Sequence, residues 1–88
     1  TEQQLVKDDS GIGFVALNAA VAIGDERYVR AFMKLKFISK IINIQDNESG
    51  ATPLHTAVKE NNFLIVSILI DNGADINITN RQGFTPVH

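Results

Sequence analysis

The sequence predicts an all-α protein: a fragment of a solenoid in which helix–turn–helix repeats stack side by side, joined by short β-turn fingers. Two observations predict it. First, Gly50-Ala51-Thr52-Pro53-Leu54-His55 recurs 33 residues later as Gly83-Phe84-Thr85-Pro86-Val87-His88, and a weaker copy, Gly13-Phe14-Val15-Ala16-Leu17-Asn18, lies 37 residues upstream. A fixed period in this range is the mark of a repeat architecture. Second, the apolar residues between the copies fall at spacings of three and four, the period of a helix face. The chain therefore divides into a lead-in or the end of a preceding element (1–9), a degenerate repeat (10–46), a well-formed repeat (47–79) and the start of a further, truncated repeat (80–88).

In the first unit, Val15-Ala16-Leu17-Asn18 replaces Thr-Pro-Leu-His, so the helix cap, the proline and the histidine are all lost. Ala20-Val21, Val29 and Ala31-Phe32-Met33 still align with Ala57-Val58, Val66 and Ile68-Leu69-Ile70. Asp25 and Glu26 open a second helix, where negative charge complements the helix dipole. Arg27, Arg30 and Lys34 follow at helical spacing, with Lys36 and Lys40 beyond. They form either a solvent face or a basic stripe for an acidic partner. The four extra residues after Met33 lengthen the second helix or its loop, and Phe37, Ile38, Ile41 and Ile42 cover core edges. Terminal repeats are often atypical because they cap the stack.

The middle unit is regular. Gly50 turns the chain from loop to helix, where glycine tolerates positive φ. Thr52 suits an N-cap, since its hydroxyl accepts from an early helix amide. Pro53 suits the first helical position, where no amide bond is lost. Leu54, Ala57 and Val58 share a face, and small Ala57 lets the paired helix approach. Asn61 needs positive φ, which asparagine accepts best after glycine. A second helix runs from about Asn62 to Asp71, apolar on most sides, as a helix sandwiched between neighbours must be. A buried strand is the rival for this stretch because isoleucine and valine abound; the preceding cap, the register and Gly73, a left-handed helix closer, favour helix. Asp75 to Phe84 form an extended finger with Asn80-Arg81-Gln82-Gly83 at its turn.

The run Asn47 to Val58, followed by Ile65-Val66, Leu69-Ile70 and Asn72-Gly73-Ala74-Asp75-Ile76-Asn77, resembles the ankyrin repeat. That family has a period of about 33 and a Thr-Pro-Leu-His signature. The resemblance is firm over residues 43–88, weaker over 13–42 and absent over 1–9. It implies structural roles for Gly50, Thr52, Pro53, His55, Gly73, Gly83, Thr85, Pro86 and His88. In particular, the histidine hydrogen-bonds between loops of adjacent repeats. It also implies a partner surface on the fingers and first helices: Glu48, Ser49, Ala51, Lys59 and Glu60, then Arg81, Gln82 and Phe84. By the weaker alignment Phe14, Ala22 and Ile23 join them, and the two phenylalanines are either interface or packing. Leu64, where the family has a charged residue, packs on an adjoining element or joins a contact surface.

Composition agrees with a binding module. The 88 residues carry a net charge of −2, which argues against a nucleic-acid footprint. No cysteine is present, which removes disulfides, thiolate zinc sites and cysteine nucleophiles and suits a reducing, intracellular compartment, cytoplasmic or nuclear. The longest apolar stretch, Phe63 to Ile70, is far short of the ~20 residues of a membrane span. Thr1-Glu2-Gln3-Gln4 lacks the features of a secretion signal, and the missing methionine suggests an excerpt from a longer chain. His55 and His88 lie one period apart, on separate repeats, not at metal-ligand spacing. Asp8-Asp9 and Asp46 with Glu48 sit in predicted loops, and Gly11-Ile12-Gly13 is too short for a phosphate loop. No nucleophile, base and oxyanion set can be assembled. The expectation is a non-enzymatic scaffold without cofactor that binds another protein and no nucleic acid, membrane or small-molecule substrate, or else a substrate-recruiting module of a larger enzyme, such as a pathogen effector acting in the host cytosol.

Overall fold

The computed structural model describes residues 10–87, so the expectations for residues 1–9 and for His88 fall outside the described residues. Five helices are present among them: α1 (Ser10–Ile23), α2 (Glu26–Met33), α3 (Ile38–Ile41), α4 (Pro53–Lys59) and α5 (Phe63–Asp71). No strand occurs among the described residues. α1 pairs with α2, and α4 pairs with α5. The two hairpins stack so that α1 lies on α4 and α2 lies on α5.

One core runs through both units. Leu17, Val21 and Val29 from the first unit are fully buried with Leu54, Ala57, Ile65 and Leu69 from the second. Leu17 and Leu54 occupy the same repeat position, and both are buried although the motif around Leu17 has decayed. Both hairpin turns use the same device. Gly24 (φ +83°) and Asn61 (φ +58°) are left-handed, and each is followed by a capping side chain. Asp25 accepts from the Tyr28 amide at 3.2 Å, and Asn62 accepts from the Ile65 amide at 3.2 Å. Each bond satisfies an amide that the first turn of a helix leaves free. The turns also touch, since a Cβ on Gly24 would stand 3.3 Å from Asn62 Nδ2.

The first unit departs from the regular repeat at three places. Gly13 does not turn the chain as Gly50 does; it lies inside α1, which at 14 residues is twice as long as α4. Without a Thr-Pro pair to start a helix at that point, the helix continues upstream. Lacking a side chain, Gly13 lets Ile41 pack on α1, for a Cβ there would stand 2.7 Å from Ile41 Cδ1. Second, of the two places expected for the four extra residues, the second helix or its loop, they occupy the loop. α2 ends at Met33 in tight turns, Lys34 N to Ala31 O at 3.2 Å and Leu35 N to Phe32 O at 3.0 Å, and α3 follows as a separate helix. Third, Phe37 covers no core edge and is 62% exposed, whereas Ile41 and Ile42 are buried and Ile38 partly so. The inward side of α3 is the 38/41/42 side, and Phe37 stands at its start, off that side.

On the far side of α5, Phe63, Leu64 and Ile70 are exposed, while Ile65, Ile68 and Leu69 face the core. Only the inner side of this apolar helix is covered among the described residues.

Candidate partner-binding groove

Two fingers, residues 42–52 and 74–85, flank the start of α4, and the sequence makes each rigid through its own hydrogen bonds. In the first, Asp46 accepts from the amides of Glu48 (3.0 Å) and Ser49 (2.9 Å) and from the Ser49 hydroxyl (3.1 Å). The Ser49 amide, then the Ser49 hydroxyl and the Glu48 amide, hold the Asp46 carboxyl below the usual carboxylate range, and nearby Arg81 adds slightly to the same effect. In the second finger Asn80 Oδ1 accepts from the amides of Gln82 (2.9 Å) and Phe84 (3.0 Å). Asp46 and Asn80 thus do one job 34 residues apart, although the Thr-Pro motif repeats at 33; the first finger carries one more residue at its tip. Gly50 (φ +73°), Gly83 (φ +85°) and Gly73 (φ +100°) adopt the left-handed conformation expected of them.

The fingers are also tied to each other. The Arg81 amide donates to Ser49 O at 2.9 Å, and Arg81 Nη2 donates to Asn47 O at 2.7 Å. Nearer their base, Gln45 donates to Thr79 O (2.8 Å) and Gly50 O (3.0 Å), and Asn43 pairs with Gly73 O and with the Asp75 amide. Sequence reasoning missed Asn43 and Gln45. Their signal was the alternation of apolar and polar residues in Ile42-Asn43-Ile44-Gln45: Ile42 is buried and Ile44 packs against the core, while Asn43 and Gln45 bond to backbone of the next finger.

His55 joins the second finger to α4. Thr52 caps the helix, and the Thr52 amide donates to His55 Nδ1 at 3.1 Å, completing a reciprocal capping box. An Nδ1 that accepts leaves the ring proton on Nε2, which donates to Phe84 O at 2.9 Å. The interloop bond that the resemblance implied is therefore present. Pro53 is buried at the first helical position and Pro86 is buried in the next unit; Thr85 is half-buried.

Between the fingers, α1 and α4 lies an open groove of about 600 Å³. α1 supplies Asn18 and Ala22; α4 and its end supply His55, Thr56, Lys59 and Glu60; the fingers supply Asp46, Ser49, Ala51, Asn80 and Gln82. Of the residues the sequence pattern marks as partner contacts, Ser49, Ala51, Lys59, Glu60 and Gln82 come together here. Glu48, Arg81 and Phe84 do not line it. Glu48 is exposed on the finger, Arg81 is turned to Asn47, and Phe84 is 48% exposed. Phe14 is 6% exposed and belongs to the core, so it is packing and not interface; Ile23 is exposed outside the groove. Asn18 stands at the degenerate counterpart of His55, and its Oδ1 is buried with no hydrogen-bond partner among the described residues.

The pairing of Asp46 with Asn80 gives a pH prediction. Asp46 has a lowered folded-state pKa, so its contribution is complete above the unfolded carboxylate value of about 4 and is lost as pH falls through the lower folded value. Asp46→Asn keeps an oxygen for the same amides, as Asn80 shows. Thermal melts of the two proteins at neutral and strongly acidic pH should therefore show a smaller acid-induced drop in Tm for the variant. An equal drop would mean that the finger does not depend on this charge.

No described helix is long and apolar enough to cross a membrane. The profile of the ankyrin repeat, in three copies, matches residues 3–88. An ankyrin repeat protein of Fowlpox virus is 52% identical over 48 residues, 54% of this chain and 14% of that protein. An ankyrin repeat protein of Rickettsia bellii is 38% identical over 77 residues, 84% of this chain and 45% of that protein. A palmitoyltransferase of Lachancea kluyveri is 43% identical over 47 residues, 53% of this chain and 6% of that protein. The chain thus spans less than half the length of these relatives. Ankyrin repeats are in general protein–protein interaction modules that carry no catalytic groups of their own. With a matching profile along nearly its whole length, two stacked helix pairs and a histidine bridging helix and finger, the chain belongs to the ankyrin-repeat family.

Proposed function

We propose that this segment holds a partner protein in the groove between its fingers and first helices, with Ser49, Ala51, Lys59, Glu60 and Gln82 as the principal contacts. One observation carries the reading: residues drawn from two fingers and a helix end, marked by the family pattern, line one continuous groove. The lining suits a polypeptide. It mixes Lys59 with Glu60 and Asp46, so it favours neither polyanion nor polycation, and its fingers are braced by hydrogen bonds before any partner arrives. A braced surface loses little conformational entropy on binding. A second reading places the same groove in a larger enzyme, where it recruits a substrate to a catalytic unit outside these residues. The match to a segment of a palmitoyltransferase favours it.

Two substitutions in the full-length protein test the groove. Ala51→Arg fills it, and Lys59→Glu reverses an exposed charge at its edge. Titrated against a partner isolated with the wild-type protein, each should weaken binding by about tenfold, with Tm unchanged. Wild-type affinity in both variants would place the partner elsewhere.

A further inference from the structure

Charge is unevenly spread along this chain. Residues 27–45 hold five cationic side chains and no acidic one, whereas the remainder holds ten acidic and three cationic side chains. Arg30 is paired with Glu26 at 3.0 Å. Arg27, Lys34, Lys36 and Lys40 are exposed and form no ion pair among the described residues. The tight turns after α2 gather Lys34, Leu35, Lys36, Phe37 and Lys40 into a compact knob. Its two large apolar side chains, Leu35 and Phe37, are exposed. None of these residues lines the groove.

We propose that this knob is a second docking surface, which takes an acidic polypeptide segment with an apolar anchor that covers Phe37. Charge complementarity selects the occupant. Lys34, Lys36 and Lys40, none in an ion pair among the described residues, flank exposed Phe37 along the chain. Arg27 adds a further such cation on α2, in a segment without acidic residues, while the rest of the chain holds ten acidic and three cationic side chains. Aromatic anchors ringed by polar groups carry interface energy, and complementary charge steers the encounter. The alternatives fit less well. A bilayer surface takes an amphipathic helix with a free apolar side, but the apolar side of α3 is already spent on the core, with Ile41 and Ile42 buried. A nucleic acid extends beyond a knob of this size and would meet the acidic remainder, which repels a polyanion.

The test uses the full-length protein and a short synthetic peptide of glutamates flanking a leucine–phenylalanine pair, with glutamine replacing every glutamate in a control. Fluorescence anisotropy should show binding of the acidic peptide that weakens as salt is raised, and at least tenfold weaker binding of the control. Lys34→Glu/Lys36→Glu/Lys40→Glu should lower affinity for the acidic peptide at least tenfold, and Phe37→Ala several-fold. Ala51→Arg in the groove should leave it unchanged, which separates this surface from the one proposed above. All substituted knob residues are exposed, and an unchanged circular-dichroism melt verifies the fold. Equal binding of the two peptides, or loss of binding in Ala51→Arg but not in the knob variants, overturns the proposal. So does tighter binding to phosphatidylserine vesicles or to duplex DNA than to the peptide.

Discussion

Gly50→Ala should destabilise the protein by about 2–5 kcal/mol, and Gly83→Ala by only about 1–2 kcal/mol. Both glycines are left-handed, at φ +73° and +85°, so an alanine is strained at either site. Their surroundings differ. A Cβ on Gly83 meets nothing within 4 Å, whereas a Cβ on Gly50 would stand 2.8 Å from Arg81 N and 3.2 Å from Asn80 C. Those atoms are backbone of the next finger and cannot yield unless the fingers separate. Separation would also cost the Arg81–Ser49 bond. The difference between the two variants, read from urea titrations of the same protein, isolates the contact between fingers. Equal losses would mean that the fingers are not packed as described.

Leu17→Ala should cost about 2–5 kcal/mol, the range for a fully buried leucine. Leu17 lies in the unit whose signature has decayed, yet it is 0% exposed and shares a core with Leu54, Ile65 and Leu69. If the degenerate unit is a true member of the stack, the substitution shifts the whole unfolding transition, as removing Leu54 would. Repeats contact only their neighbours, so losing one flank weakens the other. A loss below about 1 kcal/mol, or an early partial transition that spares α4 and α5, would mark α1 as a loosely attached lead-in.

The parts of the structure legible in the sequence are those where local chemistry and stacking agree. Thr52, Pro53 and Gly50 each demand one backbone state, and Asn62 and Gly73 close off α5; these residues act within a few positions of themselves. The first unit was harder to read because it lacks that punctuation. Without a proline to start it, α1 runs through Gly13, and that glycine serves packing against Ile41 and not a turn. Phe37 and Phe14 show the same limit from opposite sides. Composition cannot tell which side of a short inserted helix faces inward, and the weaker alignment left Phe14 as either interface or packing, which the lengthened α1 decides by directing it into the core. In the groove, the helix end and the first finger were legible from the repeat pattern. Asn43 and Gln45 were not, because their partners include backbone groups up to 34 residues away; Asp46 and Asn80 bond locally, and the sequence marked them only as loop and turn residues.

Hydrogen–deuterium exchange of the full-length protein, alone and with its bound partner, tests the partner-binding groove most directly. Slower exchange on binding is expected at Asp46–Ala51, at Lys59 and Glu60, and at Asn80–Gln82, with α5 unchanged. Protection that leaves both fingers untouched and appears instead along α5 would contradict the proposed docking face.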